Sequence, residues 1–384
     1  MLALREIERK LILTDVVEEL RNTTQNYEND GLEHFIGFEH IESNNIKVKT
    51  FGNLSDGVSF NKTFRKGDVL FGKIRAYLRK VAVAPFDGVC SGDILVLRSK
   101  DENLFSQKLL PYLLTTERFV KIAVDSSIGT TMPRTKWQHL SKFEFHLPTI
   151  EEQEKLANLF QSIDASIEQA DEQEKNLLKL KNQLLRELFG GKRQFGNYLN
   201  EDDFETVKFE QLALHISERV EPQATDYEIY VGLEHLDPDN LKIERKGKPA
   251  DVIGIKLKIY EGDIIFGKRR AYQRKVAVAD FEGIVSAHSM VLRANEKMIE
   301  KDLLPFLMQS DIFMHRAVQI SEGSLSPTIK WKVLANQEFV IPKRAKQKQI
   351  AATFIHFDQV SAEIRQQKQT LKNLKFKLLN EILG

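Results

Sequence analysis

Apolar positions along the chain follow two regimes, and each regime occurs twice. The first is a set of short apolar runs, such as Val69–Phe71, Val81–Ala84 and Ile94–Leu97, broken by Gly, Asp and Pro. Runs of this length between turn residues read as buried strands. Short helices are predicted near Lys108–Lys121 and Lys301–Ala317. The second regime begins after Leu147-Pro148 and after Ile341-Pro342. In the first copy Leu156, Phe160, Ile163, Ile167, Ala170, Leu177, Leu184 and Leu188 follow alternating four- and three-residue steps; in the second, Ile350, Phe354, Phe357, Ser361, Ile364, Leu371, Leu378 and Ile382 do the same. Charged residues fill the outer positions, so each stretch is predicted to be one long helix with a coiled-coil seam. A helix of about 39 residues is about 58 Å long, and so narrow an apolar seam needs a partner helix. The other copy is the natural one. Thr149 can cap the first helix, with Glu151 and Glu152 in its first turn, and both stretches end in Gly, at Gly190 and Gly384.

The steps also land on Glu174, Lys181, Lys368 and Lys375. Charges at seam positions weaken a coil but fix its register. Glu174 and Lys368 are equivalent positions of opposite sign, expected near the crossing if the helices run antiparallel.

The two copies are an internal repeat. Gly67-Asp68-Val69-Leu70-Phe71-Gly72-Lys73-Ile74-Arg75-Ala76-Tyr77-Leu78-Arg79-Lys80-Val81-Ala82-Val83-Ala84 returns as Gly262-Asp263-Ile264-Ile265-Phe266-Gly267-Lys268-Arg269-Arg270-Ala271-Tyr272-Gln273-Arg274-Lys275-Val276-Ala277-Val278-Ala279, an offset of 195. The offset becomes 194 beyond Leu109/Leu303 and holds to Gly190/Gly384. The predicted order is a mixed domain (1–148), a long helix (149–190), a linker (191–205), a second mixed domain (206–342) and a second long helix (343–384). This is an α+β chain: two mixed α/β domains related by a pseudo-two-fold and separated by an antiparallel coiled coil. Such a molecule suits a partner that offers two similar sites.

Composition narrows the picture. A chain of 384 residues, 42% hydrophobic and 29% charged, has room for two or three soluble domains. Its one cysteine, Cys90, cannot form an internal disulfide or a thiolate zinc site, and its apolar neighbours suggest a buried small hydrophobe. A reducing cytoplasm is the expected compartment. Charge stands too early for a signal peptide and no apolar run reaches membrane-spanning length, so no membrane partner is expected. The net charge of +1 decides nothing by itself; placement does.

Catalytic motifs are not recognisable. The chain shows no Gly-rich phosphate loop ending in Lys-Ser/Thr, no Asn/Asp-Pro-Pro-aromatic run of amine-methylating enzymes, and no His-Glu-x-x-His or Cys/His cluster. The string Pro238-Asp239…Glu244-Arg245-Lys246 resembles a nuclease carboxylate set only faintly. His40 and His235 occupy matching places and suit a structural hydrogen bond better than a ligand contact. Positive charge, in contrast, is concentrated: Lys73, Arg75, Arg79 and Lys80 around Tyr77, and Lys268, Arg269, Arg270, Arg274 and Lys275 around Tyr272 and Gln273. Basic residues interleaved with an aromatic fit a DNA phosphate backbone. A second candidate is the loop carrying Thr130, Thr131, Met132, Pro133, Arg134, Lys136 and Trp137, matched by Ser324, Leu325, Ser326, Pro327, Thr328, Lys330 and Trp331. Its hydroxyls, amides and Lys can hold phosphate, while the paired Trp fits a core anchor.

Taken in this order and twice over, these marks make the chain similar to the specificity subunit of type I restriction–modification systems. They are the Gly-Asp-apolar-Phe-Gly-Lys run (Gly67–Ala82), the Met-Pro-Arg-x-x-Trp loop (Met132–Trp137) and the Pro…Glu-Gln helix entry (Pro148–Gln153); the second copies are degraded at Ser326-Pro327-Thr328 and Lys346-Gln347. The resemblance implies two target-recognition domains held apart by an antiparallel coiled coil, each reading half of a split double-stranded DNA site. It implies docking of two methyltransferase subunits, with restriction/translocase subunits joining, and helices that act as a ruler for the spacer. It implies a non-catalytic chain with no cofactor of its own; S-adenosylmethionine, ATP and Mg belong to the partners, and adenine N6 is the atom methylated. The alternatives are a DNA-recognition adaptor of a related two-subunit restriction–modification or other phage-defence system, and an enzyme with an unrecognised site.

If the halves read different bases, residues identical in both are poor readers. Tyr77/Tyr272, Arg79/Arg274 and Lys80/Lys275 then hold the backbone or the fold, and readers are expected at Ile74/Arg269, Leu78/Gln273, Asp93/His288, Arg134/Thr328 and Gln138/Lys332. Arg269 fits guanine and Gln273 adenine in the major groove. Lys275→Ala is expected to weaken binding across sequences and flatten its salt dependence.

Overall fold

The strand runs of the sequence are buried on both faces, because each central sheet closes two cores at once. We describe a computed structural model covering residues 9–190 and 198–384. The chain divides into two compact units, Met1–Asp171 with Gln366–Gly384, and Glu172–Arg365. In the first, a four-stranded antiparallel sheet runs in the order Val17–Leu20, Ile94–Ser99, Val69–Gly72, Val81–Val83. Alternate side chains leave opposite faces of a strand. Val69, Phe71, Val81, Leu95 and Leu97 enter the larger core with the helices, while Leu70, Ala82, Ile94 and Val96 enter a smaller one. The smaller core is closed by a second four-stranded sheet, Gly52–Asn53, His34–Ile36, Gly88–Cys90, Lys62–Phe64, in which the middle pair is parallel. A two-stranded ladder, Arg9–Ile12 with Glu144–Leu147, leads the chain into the long helix.

The second unit repeats each of these parts. Its central sheet is Ala213–Ile216, Ser289–Ala294, Ile264–Gly267, Val276–Val278; its small sheet again holds one parallel pair, Tyr230–Val231 with Gly283–Val285; and its ladder joins Phe204–Lys208 to Glu338–Pro342. Ile264 and Phe266 face the larger core and Ile265 the smaller.

The repeated Gly-Asp opening of the central hairpin is structural. Gly67 and Gly262 sit at φ 90° and 87°, where a side chain would be strained. Asp68 and Asp263 are buried and bind Arg98 at 2.7 Å and Arg293 at 2.8 Å across the sheet. The Gln of each helix entry is a latch. Buried Gln153 donates to the carbonyls of Leu104 and Pro148 and accepts from Ser106 N; buried Gln347 donates to those of Met298 and Pro342 and accepts from Glu300 N. Thr149 and Glu152 form a reciprocal capping box at the first helix start.

The long helices are Ile150–Phe189 and Arg344–Ile382. Within the first unit, Leu156, Phe160, Ile163 and Ile167 share a core with Leu371, Leu378, Leu379 and Ile382. Within the second, Leu184, Leu185 and Leu188 share a core with Ile350, Phe354 and Phe357. Early positions of one helix meet late positions of the other, so the pairing in each unit is antiparallel. Leu177 and Ile364 are only half-buried, and there charge takes over from apolar packing. Asp164 pairs with Lys375 and Asp171 with Lys368 in the first unit; Glu174 pairs with Arg365 and Lys181 with Asp358 in the second. Glu174 and Lys368 thus fall in different units, each bound to the residue that stands three places from the other. Lys181 is buried against the Phe306 ring and also donates to Gln309; burial holds its ammonium below the usual lysine range, with Asp358 opposing the shift.

Two expectations change. The helices expected at Lys108–Lys121 and Lys301–Ala317 are each broken in two, Leu110–Leu113 with Glu117–Asp125, and Leu304–Gln309 with Asp311–Gln319. Thr116 and Ser310, extended at ψ 150°, accept from Phe119 N and Phe313 N and start a new helix there. Of the linker expected over 191–205, residues 191–197 lie outside the described residues. The remainder is built into the second unit: Leu199 is buried, Tyr198 donates to Gln349, and Phe204 opens a strand. The units also divide within the long helices, not at their starts, because each helix closes two cores.

The latch gives a direct test. Gln347→Leu keeps the volume but leaves one N–H and two carbonyls buried without partners, and is expected to lower stability by about 2–4 kcal/mol in urea unfolding.

Candidate nucleic-acid interface

The two motifs singled out in each half meet in space. In the first unit the hairpin Val69–Gly72/Val81–Val83 is closed by a 3-10 turn, Ala76–Leu78. Arg75 and Arg79 flank that turn at φ 47° and 51°; Arg270 and Arg274 flank Ala271–Gln273 at φ 58° and 55°. Left-handed backbone at four non-glycine positions costs roughly 1 kcal/mol or more each and persists because the surroundings hold it. The second loop supplies that hold: Arg75 N donates to Pro133 O at 2.9 Å and Thr135 N to Lys73 O, while Arg270 N donates to Pro327 O at 2.8 Å and Ile329 N to Lys268 O. Gly72 lets the hairpin close on its neighbour, since a Cβ there would lie 2.7 Å from the Phe38 ring.

The basic residues then separate into two groups. Lys80 and Lys275 turn inward and donate to the carbonyls of Phe38 and Leu233; burial lowers the Lys80 pKa. Arg79 donates to Thr115 O, lies near Glu117 and stacks over Phe376. Arg274 binds Asp239, Asp311 and Gln309 O. These four hold the turn, which accounts for their identity in both halves. An effect of Lys275→Ala on DNA would therefore pass through the turn it supports. Tyr77 and Tyr272 are each 56% exposed at the tip of the turn. Arg270, Lys136 and Lys330 are exposed, as are Thr130, Thr131 and Ser324; Arg75 and Lys73 are half-exposed, and Lys330 pairs with Glu322. Burial and Arg219 lower the pKa of half-buried Lys268.

Matched positions differ in how they place one further arginine. Ile74 bridges Arg134 in the first unit, and Arg269 bridges Thr328 in the second, so the arginine changes strand between the units. Ile74 is buried and cannot face a base, a correction to its place among the reader positions. Arg134 is held by Asp93 at 3.0 Å. Arg269 is held by His288 at 3.2 Å and by Ser326 at 3.0 Å. Burial and the adjacent Arg269 and Lys268 lower the His288 pKa, so the neutral ring is the acceptor. Gln273 and Leu78 are half-buried, whereas Gln138 and Lys332 are exposed on short helices. Leu325, named in the sequence only as part of the second loop and given no role there, is 90% exposed.

Other candidates resolve into structural roles. His40 and His235 accept from Gly37 N and Gly232 N at 3.0 Å. Trp137 and Trp331 pack on the larger cores, and Trp331 stacks on His215. In the nuclease-like string, Asp239 binds Arg274, Arg245 binds Asp237, and Lys246 lies by Asp280 and over Phe281. Among the described residues no three His, Cys, Asp or Glu side chains are grouped to hold a metal ion, and no helix is long and apolar enough to cross a membrane.

Comparison with known proteins identifies the family and the fold. The family profile described as "Type I restriction modification DNA specificity domain" matches residues 12–180 and 239–373. The type I restriction enzyme EcoDI specificity subunit of Escherichia coli is 31% identical over 151 residues, 39% of this chain and 33% of that subunit. The chain thus aligns with about a third of the length of that relative. The MjaVIII specificity subunit of Methanocaldococcus jannaschii is 22% identical over 77% of this chain and 73% of its own length. Among solved structures, the type I restriction–modification S subunit from M. genitalium has a TM-score of 0.61 at 14% identity, covering 99% of this chain and 96% of that one. A chain from a study of type I R-M complex assembly and conformational transition has a TM-score of 0.59 at 18% identity, covering 97% and 96%. At these identities the structures speak for the fold.

Cys90 is buried in the smaller core of the first unit, and burial pushes its thiol up to about 12. A thiol-specific reagent at pH 8 is expected to label it only after denaturation; stoichiometric labelling of the folded chain would contradict its burial.

Proposed function

Because this chain belongs to the type I restriction modification DNA specificity family, we propose that it is the sequence-reading subunit of a restriction–modification complex, with each unit taking one half of a split DNA site. The observation that carries the proposal is the paired loop surface, present once in each unit. In both, a strained turn presents an exposed tyrosine beside exposed or half-exposed arginine, while the matched residues around it differ. Residues common to both surfaces, Arg75/Arg270 and Tyr77/Tyr272, take the phosphate backbone. Residues that differ, Arg134 with Asp93 and Arg269 with His288 and Ser326, read base edges. An arginine already oriented by a neighbour loses less freedom on meeting the bidentate face of guanine.

In this reading the chain does no covalent chemistry. It binds double-stranded DNA and positions two methyltransferase subunits, together with restriction/translocase subunits. The methyltransferases supply S-adenosylmethionine and methylate adenine N6, taking the flipped base into their own pocket. ATP and Mg2+ belong to the translocase. The shared helices fix the spacer between the half-sites.

Mapping methylated adenines in cells that co-express this chain and its methyltransferase is expected to give one split sequence. Methylation without a common sequence, or with one that is unchanged when this chain is omitted, would remove the proposal. Within that assay Arg269→Ala should relax one half-site only, by about 1–3 kcal/mol of discrimination. Arg270→Ala should weaken binding on all sequences and lower the salt slope by about 1.

A further inference from the structure

The pairing of the long helices carries a charge pattern that its apolar seam lacks. In Asp164–Lys375, Asp171–Lys368, Glu174–Arg365 and Lys181–Asp358 the two residue numbers always add to 539, so one antiparallel register runs through the helices in both units. The repeat offset of 194 maps these pairs onto one another. Asp164–Lys375 maps onto Asp358–Lys181, acid on acid and base on base. Asp171–Lys368 maps onto Arg365–Glu174, and there every sign is reversed.

That reversal decides what each helix can pair with. Suppose the first helix met a second copy of itself in the same register. Its outer pairs would survive, with Asp164 opposite Lys181. Its seam would survive as well, with Leu177, Leu184 and Leu188 standing where Leu371, Leu378 and Ile382 stand now. The middle would fail, because Asp171 would face Glu174 twice. A pair of second helices would face Arg365 against Lys368 twice. We propose that Asp171, Glu174, Arg365 and Lys368 select the partner: they make the acidic middle of the first helix take the basic middle of the second in preference to a copy of itself. The consequence is that one helix pair carries two different loop surfaces instead of two identical ones. Ion pairs this exposed stabilise little one at a time. Partner choice depends on the difference between attraction and repulsion summed over the contacts, the way charged flanks specify coiled coils. The inference is independent of what the loops bind.

The test uses the full chain with a protease site inserted between residues 190 and 198, cut after folding. Two preparations carrying different tags are mixed under mildly dissociating conditions and returned to native buffer, and the pairs are counted by native mass spectrometry. Wild-type halves are expected to form about ten first–second pairs for every like pair, where random pairing gives equal numbers of each. In the cut double variant Glu174→Lys with Lys368→Glu, a first helix offers Asp171 of its copy a cation, and a second helix offers Arg365 of its copy an anion. Like pairs should then take over. Statistical pairing in the wild type, or no reversal in the double variant, would overturn the proposal. If the cut halves do not stay folded, the uncut chain decides: Glu174→Arg and Arg365→Glu should each lower the melting temperature, and the two together should restore it. Absence of that recovery would also overturn it.

Discussion

Everything in this protein rests on the sharing of one hydrophobic face between sheet and helix. The central sheet of each unit has two apolar faces, and the second small sheet covers only one of them. The other is closed by the long helices: Ala157, Phe160 and Ile163 with Leu379 and Leu383 in the first unit, Leu188 and Phe189 with Ile350 and Phe354 in the second. Burying a large apolar side chain is worth roughly 1.5–3 kcal/mol, so a unit stripped of these helical residues would lose a core it cannot replace. That constraint makes the two helices common property of the two units, and it explains why the division between units falls inside helices.

A similar sharing governs the loops. Strained arginines at the turns are held by a network of backbone hydrogen bonds from a second loop, and four of the basic side chains direct their charge to carbonyls and carboxylates within the fold. The turn that results exposes a tyrosine at its tip and leaves a smaller set of cations, Arg270 and Lys136 among them, on the surface. A surface made this way separates two tasks. Residues repeated in both units build the platform, and residues that differ decorate it. One duplicated scaffold thereby carries two differently lined loop surfaces without a change in fold.

Much of this was legible in the amino-acid order alone. The repeat, the alternation of strand runs with heptad stretches, the helix entries at Pro148 and Pro342 and the clustering of Lys and Arg around Tyr77 and Tyr272 are all local or periodic signals, written by the spacing of side chains that share one face. The four- and three-residue steps that mark the long helices are geometric, and so is the face they define.

What only the tertiary structure decided are matters of partnership between distant residues. No spacing shows that Lys80 and Lys275 turn inward while Arg75 and Arg270 do not, since the choice lies with the carbonyls of Phe38 and Leu233, some 42 residues away. Nor does the order of residues show that Ile74 is buried while its counterpart Arg269 is held by His288 and Ser326. The breaks at Thr116 and Ser310 were not legible, because the competing helical run was continuous. Local pattern fixes which face a residue shares; burial and the position of remote polar groups fix what that residue then does.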